Sequence, residues 1–226
     1  MSASFDILYE DNHLLAINKP AGLATMGVAA GVPSVLEQAR QYLNLKAGKP
    51  GNVYLGIVSR LDAPVTGVLL LARTSKAASR LTVQFRERQV EKVYQVLVQG
   101  SVESASGELQ DYVRKDERHR KMHVTGENTP GAKRAILSYR TIQVLDDLTH
   151  LEVQLQTGRK HQIRLQFGSR SHPVLGDRKY GATKTFPSGI ALHAHRLALT
   201  HPVRQSPLEL TAPFPGAWGK IGITLS

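Results

Sequence analysis

The stretch VSRLDAPVTGVLLLART, residues 58–74, places one carboxylate, Asp62, in a short polar segment between two apolar runs. The runs are YLGIV at 54–58 and GVLLLA at 67–72. This pattern predicts a strand, a turn and a second strand, with Asp62 in the turn. Arg60 shares a face with Asp62 on an extended segment and favours its ionised form. The stretch alone leaves two interpretations open, an ordinary ion-paired turn and a carboxylate held for chemistry.

Further strands and helices are predicted on both sides of this strand–turn–strand segment. A helix at 33–45 begins with a capping box, because Ser34 is followed three residues later by Glu37. A second helix is predicted at 74–89, and a short one within 158–181. Strands are predicted as a pair in 5–23 and at 90–100, 134–145, 149–157, 190–202 and 207–215. In segment 101–132 the apolar residues follow neither the spacing of a helix nor the alternation of a strand, so this segment is predicted to be irregular.

This order predicts an α+β fold with a curved, mainly antiparallel mixed sheet and flanking helices. We expect one domain over residues 1–226, with two sheet halves on either side of a central basic cleft. Asp62 is expected at the floor of that cleft.

The composition points to an anionic partner. The 226 residues include 29 Lys and Arg against 18 Asp and Glu, a formal net charge of +11. Nucleic acid is the first candidate for that partner, and solubility charge or a basic ribosomal-type protein is the alternative. The absence of cysteine excludes disulfides, thiolate metal sites and a cysteine nucleophile. There is no secretory signal and no apolar run of ~20 residues, so we expect a cytoplasmic protein without a membrane segment. We also expect a monomer that needs no obligate protein partner and binds no metal.

Cationic residues concentrate in a few segments. Arg159, Lys160, His161 and Arg164 fall within six residues, and 113–123 carries five Lys or Arg against two acids. Such groups can bind phosphates, and a solvated surface or a mobile loop is the alternative. The candidate nucleic-acid-binding residues among these cations are Arg114, Lys115, Arg118, Arg120, Lys121, Arg159, Lys160, His161, Arg178 and Lys179.

Five blocks together resemble the RluA-type pseudouridine synthases, in order and in approximate spacing. They are EDNHLLAINKPAGL, SRLDAPVTGVLLLART, EKVYQVLV, TGRKHQIRLQFGSRSHPVLGDRKYG and LHAHRLALTHP. The resemblance extends from about residue 5 to 213. It implies isomerisation of selected uridines in ribosomal or transfer RNA, with no cofactor. The alternative function is that of a non-catalytic basic RNA-binding or ribosome-assembly protein on the same fold.

The resemblance also implies roles for individual residues. Asp62 would be the catalytic aspartate, and Arg60 would help to extrude the target nucleotide. Tyr94 would pack against the target base and is a candidate for taking part in proton removal, and Arg164 would pair with the catalytic carboxylate. Lys19, in the block NKP at 18–20, is expected to be structural. Three routes stay open for Asp62: attack at ribose C1′, attack on the pyrimidine ring, or removal of a sugar proton.

The chain departs from the family pattern around these residues. Ser59 stands where the family usually has His, and Ala63 and Pro64 replace an Arg and an Asp after the catalytic residue. In the block around Arg164, Lys160 and Gln166 differ from the residues that the family usually has. Because such flanking residues touch RNA, the departures bear on the choice of target, while Asp62, Tyr94 and Arg164 are retained. The chain begins at the catalytic region, so no S4-like RNA-binding module is expected.

Overall fold

The computed structural model describes residues 4–29, 31–48, 53–119, 121–221 and 223. Its strands are β1 Asp6–Glu10, β2 Leu14–Lys19, β3 Gly56–Ile57, β4 Thr66–Ala72, β5 Glu91–Gln99, β6 Ser106–Asp116, β7 Lys121–Thr125, β8 Lys133–Leu145, β9 Leu148–Leu155, β10 Leu192–Thr200 and β11 Pro207–Thr211. Its helices are α1 Val35–Ala47, α2 Ser75–Arg86, α3 Gln162–Gly168 and α4 Gly216–Gly219, and a 3-10 turn covers Arg178–Tyr180. The α+β prediction is confirmed. The pairs β1–β2, β2–β4, β3–β4, β5–β9, β6–β7, β6–β8, β8–β9 and β10–β11 are antiparallel.

The chain divides into two compact units. The first contains residues up to Val90 together with those from Ala194 onward, and the second contains Glu91–His193. Among the residues described, no helix is long and apolar enough to cross a membrane.

Strand β4, which leads away from Asp62, is buried along its whole length in the first unit. It pairs antiparallel with β2 and with the short strand β3. On one face Leu69 and Leu71 pack in a core with α1, and on the other Val68 and Leu70 pack with α2. Each buried leucine contributes about 1.5–3 kcal/mol. A strand covered on both faces needs an apolar run rather than alternation, which explains the sequence GVLLLA.

Helix α1 begins where its sequence predicts. The Ser34 hydroxyl accepts the Glu37 amide proton at 3.3 Å, and the Glu37 carboxylate accepts the Ser34 amide proton at 3.0 Å. The capping box is therefore confirmed. At the other end Gly48, in the left-handed conformation with φ of 60°, closes the helix by donating its amide proton to Leu45.

The second unit contains antiparallel strands in the order β5, β9, β8, β6, β7. The prediction that 101–132 is irregular is wrong, because this segment contains β6 and β7, joined as a hairpin. Strand β6 pairs with β8 over eight residues. Backbone pairing holds these strands while most of their side chains stay in contact with solvent, so no apolar period marks them in the sequence.

Candidate active site

A buried lysine ties the loop that carries Asp62 to the end of β2. The Lys19 ammonium group donates to the carbonyl oxygens of Pro20 at 2.7 Å, Leu23 at 2.8 Å and Ala63 at 3.1 Å. Its side chain has no exposed surface. Ala63 directly follows Asp62, so Lys19 fixes the backbone on one side of the candidate catalytic carboxylate.

A threonine fixes the other side of the same loop. The Thr25 hydroxyl donates to the Leu61 carbonyl at 2.9 Å and accepts the Leu61 amide proton at 3.2 Å. The Val65 amide donates to the Asp62 carbonyl at 3.0 Å and closes the turn. Asp62 itself is half-buried. The predicted turn is therefore present, and the neighbours of Asp62 are held by Lys19, at the end of β2, and by Thr25, in the segment that follows it.

Lys19 also interacts electrostatically with Asp62. Burial lowers the pKa of Lys19 to about 8, and the negative charge of Asp62 opposes this shift. At neutral pH the lysine is therefore mostly cationic, and it places a positive charge close to the candidate catalytic carboxylate.

Arg60 is exposed on the same loop. It contributes to the wall of a surface groove of about 570 Å³, whose other lining residues are Met26, Leu36, Leu55, Ile57, Val58 and Ser59. A cation beside an apolar wall suits a nucleotide, since the phosphate is charged and the face of the base is apolar.

In the second unit, Tyr94 lies on β5 opposite Val153 of β9. Its neighbours Val93 and Gln95 are buried, whereas Tyr94 is half-buried. Successive side chains of a strand point to opposite faces, and Val96 and Val98 on the same face as Tyr94 are buried, so this face of β5 is accessible at Tyr94 and closed further along the strand. A partly accessible aromatic ring is what base stacking requires.

Arg164, on α3, is held by a carboxylate that the sequence analysis did not single out. Its Nε lies 2.6 Å from one Asp177 oxygen, and its Nη2 lies 2.8 Å from the other. Both side chains are buried. The guanidinium carbon lies 5.1 Å from the centre of the Tyr180 ring. A bidentate pair and an aromatic face together fix the plane of this guanidinium.

The segment that leads into α3 is organised by a buried glutamine. The Gln162 side-chain oxygen accepts from the Thr157 hydroxyl at 2.7 Å and from the Arg159 amide at 2.9 Å. Its side-chain nitrogen donates to the Gln166 oxygen at 3.0 Å. His161, immediately before the helix, has a left-handed backbone with φ of 54°. These bonds take the place of a serine or threonine cap.

The cations predicted from 113–123 lie mainly on the β6–β7 hairpin. Arg114 and Lys115 are exposed on β6, Arg118 is exposed in the turn, and Lys121 is half-buried on β7. Arg120 lies outside the described residues. The alternative of a mobile loop is therefore wrong for the residues in β6 and β7, while a solvated surface stays open as the alternative and RNA binding by these side chains stays a prediction.

The other predicted cations differ in their surroundings. Lys160, Arg178 and Lys179 are exposed. Arg159 is half-buried, and its Nε donates to the Arg134 carbonyl at 2.8 Å. His161 is also half-buried, with Nδ1 2.7 Å from the Tyr180 hydroxyl. Arg159 and His161 thus have structural contacts in addition to any role in binding RNA.

Sequence reasoning missed three polar side chains: Thr25 in the first unit, and Asp177 and Tyr180 in the second. Asp177 and Tyr180 belong to the stretch GDRKYG at 176–181, in which only the two cations were selected. Their signal was the combination of an acid and an aromatic residue between two glycines, a pattern typical of an ordered turn. Nothing in the local sequence around Thr25 distinguishes it from an ordinary loop residue.

The chain is similar to known pseudouridine synthases. The family described as RNA pseudouridylate synthase matches residues 13–169. An uncharacterized RNA pseudouridine synthase of Synechocystis is 35% identical over 225 residues, covering 97% of this chain and 68% of the relative. Ribosomal large subunit pseudouridine synthase D of Xylella fastidiosa is 35% identical over 224 residues, covering 93% of this chain and 66% of the relative. The chain thus spans about two thirds of the length of these relatives.

A solved structure has a similar fold. Human RNA pseudouridylate synthase domain containing 4 superimposes with a TM-score of 0.79 at 24% sequence identity, covering 97% of this chain and 94% of that chain. The family model matches residues 13–169, and the chain is 35% identical to a relative of which it covers 68%. This chain therefore belongs to the RNA pseudouridylate synthase family.

Proposed function

We propose that this chain converts specific uridines of structured RNA into pseudouridine, with Asp62 as the catalytic group and without a cofactor. The observation that carries the proposal is the Asp62 loop, a half-buried carboxylate whose neighbours are held by Lys19 and Thr25. An ordinary surface turn does not need a buried lysine for its support. Family membership supports the reaction.

The reaction is an isomerisation, so its atoms balance without an oxidant or a second substrate. The bond between ribose C1′ and uracil N1 breaks, the base turns, and a new bond joins C1′ to C5. C5 then loses its proton, and N1 ends with one. Asp62 can attack C1′, attack the pyrimidine ring or remove a sugar proton, and each route needs an ionised carboxylate at a fixed position.

We assign supporting roles to Tyr94 and Arg164. Extruding a base from its stack costs a few kcal/mol, and stacking on an aromatic ring such as Tyr94 offsets ~1–3 kcal/mol of that cost. Arg164 is proposed to keep the catalytic carboxylate ionised once the substrate excludes water. Its pair with Asp177 supports this role, because a guanidinium of fixed orientation needs no reorganisation during the reaction.

The exposed cations are proposed to bind RNA phosphates. Arg60 is proposed to contact the nucleotide next to the target. Arg114, Lys115 and Arg118 on the hairpin, with Arg178 and Lys179 near α3, would bind the backbone. Affinity should then fall steeply with salt concentration.

Large-subunit ribosomal RNA is the proposed target. Relatives from Xylella fastidiosa and Vibrio vulnificus are named ribosomal large subunit pseudouridine synthases D and C. Mapping of pseudouridines in cells with and without this gene tests the target. We expect a site to disappear from large-subunit ribosomal RNA, and a loss confined to transfer RNA would refute the assignment.

The Asp62→Asn variant tests the catalytic proposal. Asparagine keeps the shape of the side chain but has no charge and is not a nucleophile. We expect RNA binding within about twofold of wild type and no measurable pseudouridine, since catalysis and phosphate binding rest on different groups. Asp6→Asn, an exposed position on β1 in the same unit, is the matched control. Wild-type turnover by Asp62→Asn would refute the mechanism. RNA binding with no turnover by the wild-type chain would favour the non-catalytic alternative.

A further inference from the structure

Tyr180 connects two parts of the second unit through its hydroxyl group. The amide of Met122, on β7, donates to this hydroxyl at 3.1 Å. The Nδ1 atom of His161, at the start of α3, lies 2.7 Å from the same oxygen. Since the oxygen accepts the amide proton, its own proton can be donated to the imidazole. One hydroxyl therefore links the basic hairpin to the segment that carries Arg164.

The ring of Tyr180 contacts the same two parts. The Lys121 ammonium lies 4.9 Å from the ring centre, and the Arg164 guanidinium carbon lies 5.1 Å from it. Tyr180 also closes the turn that contains Asp177, because its amide donates to the Asp177 carbonyl at 3.0 Å. The turn 177–180 thus holds the Arg164 guanidinium along one edge by a carboxylate and over one face by an aromatic ring.

Packing alone does not account for a tyrosine at this position. Tyr180 is 6% exposed and lies in an apolar cluster with Met122 and Leu165. A phenylalanine ring would fill the same space, whereas a buried hydroxyl is unfavourable unless it is hydrogen-bonded. The hydroxyl has two bonds, one to each structural part, so its role is to join them.

We propose that Tyr180 is a positioning residue that couples RNA binding by the β6–β7 hairpin to the orientation of Arg164; this rests on the function proposed above. Lys115, an exposed cation of the hairpin, is the register partner of Met122. A phosphate bound by Lys115 on β6 therefore lies on the residue that pairs directly with Met122 on β7, whose amide donates to the Tyr180 hydroxyl. Any displacement of the hairpin is transmitted through that hydrogen bond to the ring on which Arg164 lies.

A double-mutant cycle with the full chain tests this coupling. Tyr180→Phe removes the hydroxyl and keeps the ring. At saturating RNA, we expect the single-turnover rate to fall about tenfold, as for one lost buried hydrogen bond, while Kd changes less than about threefold. Lys115→Ala should slow the single-turnover rate of the parent chain but not that of the Tyr180→Phe protein, so the two effects should not add. Tyr112→Phe removes a hydroxyl that bonds Glu127 elsewhere on the hairpin and is the matched control, with no expected change.

Additive effects of Tyr180→Phe and Lys115→Ala would overturn the coupling, as would a Tyr180→Phe rate equal to that of the parent chain. Hydrogen exchange at the Met122 amide of the wild-type chain gives a second measurement if the variant does not fold. Slower exchange when RNA binds supports the coupling, and unchanged exchange refutes it. A wild-type chain that forms no pseudouridine would overturn the proposed function as well as this role, whereas an active wild type with an unaffected variant overturns the coupling alone.

Discussion

Lys19 should make the stability of this protein depend on pH in a direction opposite to that of most surface lysines. Burial lowers its pKa from the ordinary value of 10.5 to about 8. Between these two values the unfolded chain binds more protons than the folded protein. The free energy of unfolding therefore rises with pH through this window, and the penalty of burying a charged lysine is fully present below about pH 8.

The size of the effect follows from the shift. One pKa unit corresponds to about 1.4 kcal/mol, so the difference between 10.5 and about 8 gives at most about 3.4 kcal/mol. Raising the pH from about 7 to about 9.5 covers most of the window and should contribute about 2 kcal/mol. Lys19→Met keeps the length of the side chain and abolishes this titration.

Urea unfolding of both proteins at the two pH values measures the effect. Other groups titrate in both proteins, so the difference between them isolates Lys19. We expect the wild type to gain about 2 kcal/mol over Lys19→Met between the two pH values. Lys46→Met is the control, because hydrogen bonding to Glu10 raises the pKa of this exposed lysine and no such gain is expected. If the difference in free energy of unfolding between the two proteins did not change with pH, or changed in favour of Lys19→Met, the prediction would be refuted. The carbonyls and Asp62 would then stabilise the charged lysine by at least as much as burial destabilises it.

Catalysis should respond to the same titration. A neutral lysine has two N–H donors, whereas the ammonium group has three and uses them on three carbonyls. Loss of one bond loosens the loop that carries Asp62, so turnover should fall as the pH rises through about 8.

Three further predictions concern other positions. Tyr94→Phe keeps the stacking ring and removes the hydroxyl, the candidate group for proton removal, so RNA binding should be retained while single-turnover rates fall by about 10- to 100-fold; an unchanged rate would leave Tyr94 a packing role only. Asp177→Asn should lower the free energy of unfolding by about 3 kcal/mol, because a buried guanidinium loses its bidentate carboxylate; a loss below about 1 kcal/mol in urea unfolding would contradict this. Gly67→Ala should destabilise the protein by more than about 3 kcal/mol, because its new Cβ would lie 2.2 Å from a backbone oxygen of β10. In Gly22→Ala, where φ is also positive but space is open, a loss of only about 1 kcal/mol is expected, and equal losses would show that strain rather than the clash decides.

The elements that the sequence predicts well are those whose signals are local. The capping box of Ser34 and Glu37 is complete within four residues, and it marks the start of α1 correctly. The apolar run of β4 and the clean alternation of β9 likewise identify their strands. The prediction missed strand β6 because most of its side chains are in contact with solvent and its pairing with β8 depends on backbone groups.

The residues of the candidate site also differ in how well the sequence predicts them. The resemblance carried by the motifs selects Asp62, Tyr94 and Arg164 as candidates, and their roles stay predictions. The bonds that Thr25 and Tyr180 make were not predictable, because their partners are remote in sequence. Thr25 bonds Leu61 across 36 positions, and Tyr180 bonds Met122 across 58. A pattern read along the chain does not reveal such bonds, since each residue type is ordinary where it stands.

The division of the chain into units has a consequence for its synthesis. The first unit combines residues up to Val90 with those from Ala194 onward, and its core contains Leu197 and Leu210 beside Leu14. The second unit is continuous in sequence. As the chain leaves the ribosome, the second unit can therefore complete its core while the first still lacks two strands. The loop bearing Asp62 is made before the second unit, yet the unit that supports it is completed only by strands that follow the second unit in the chain.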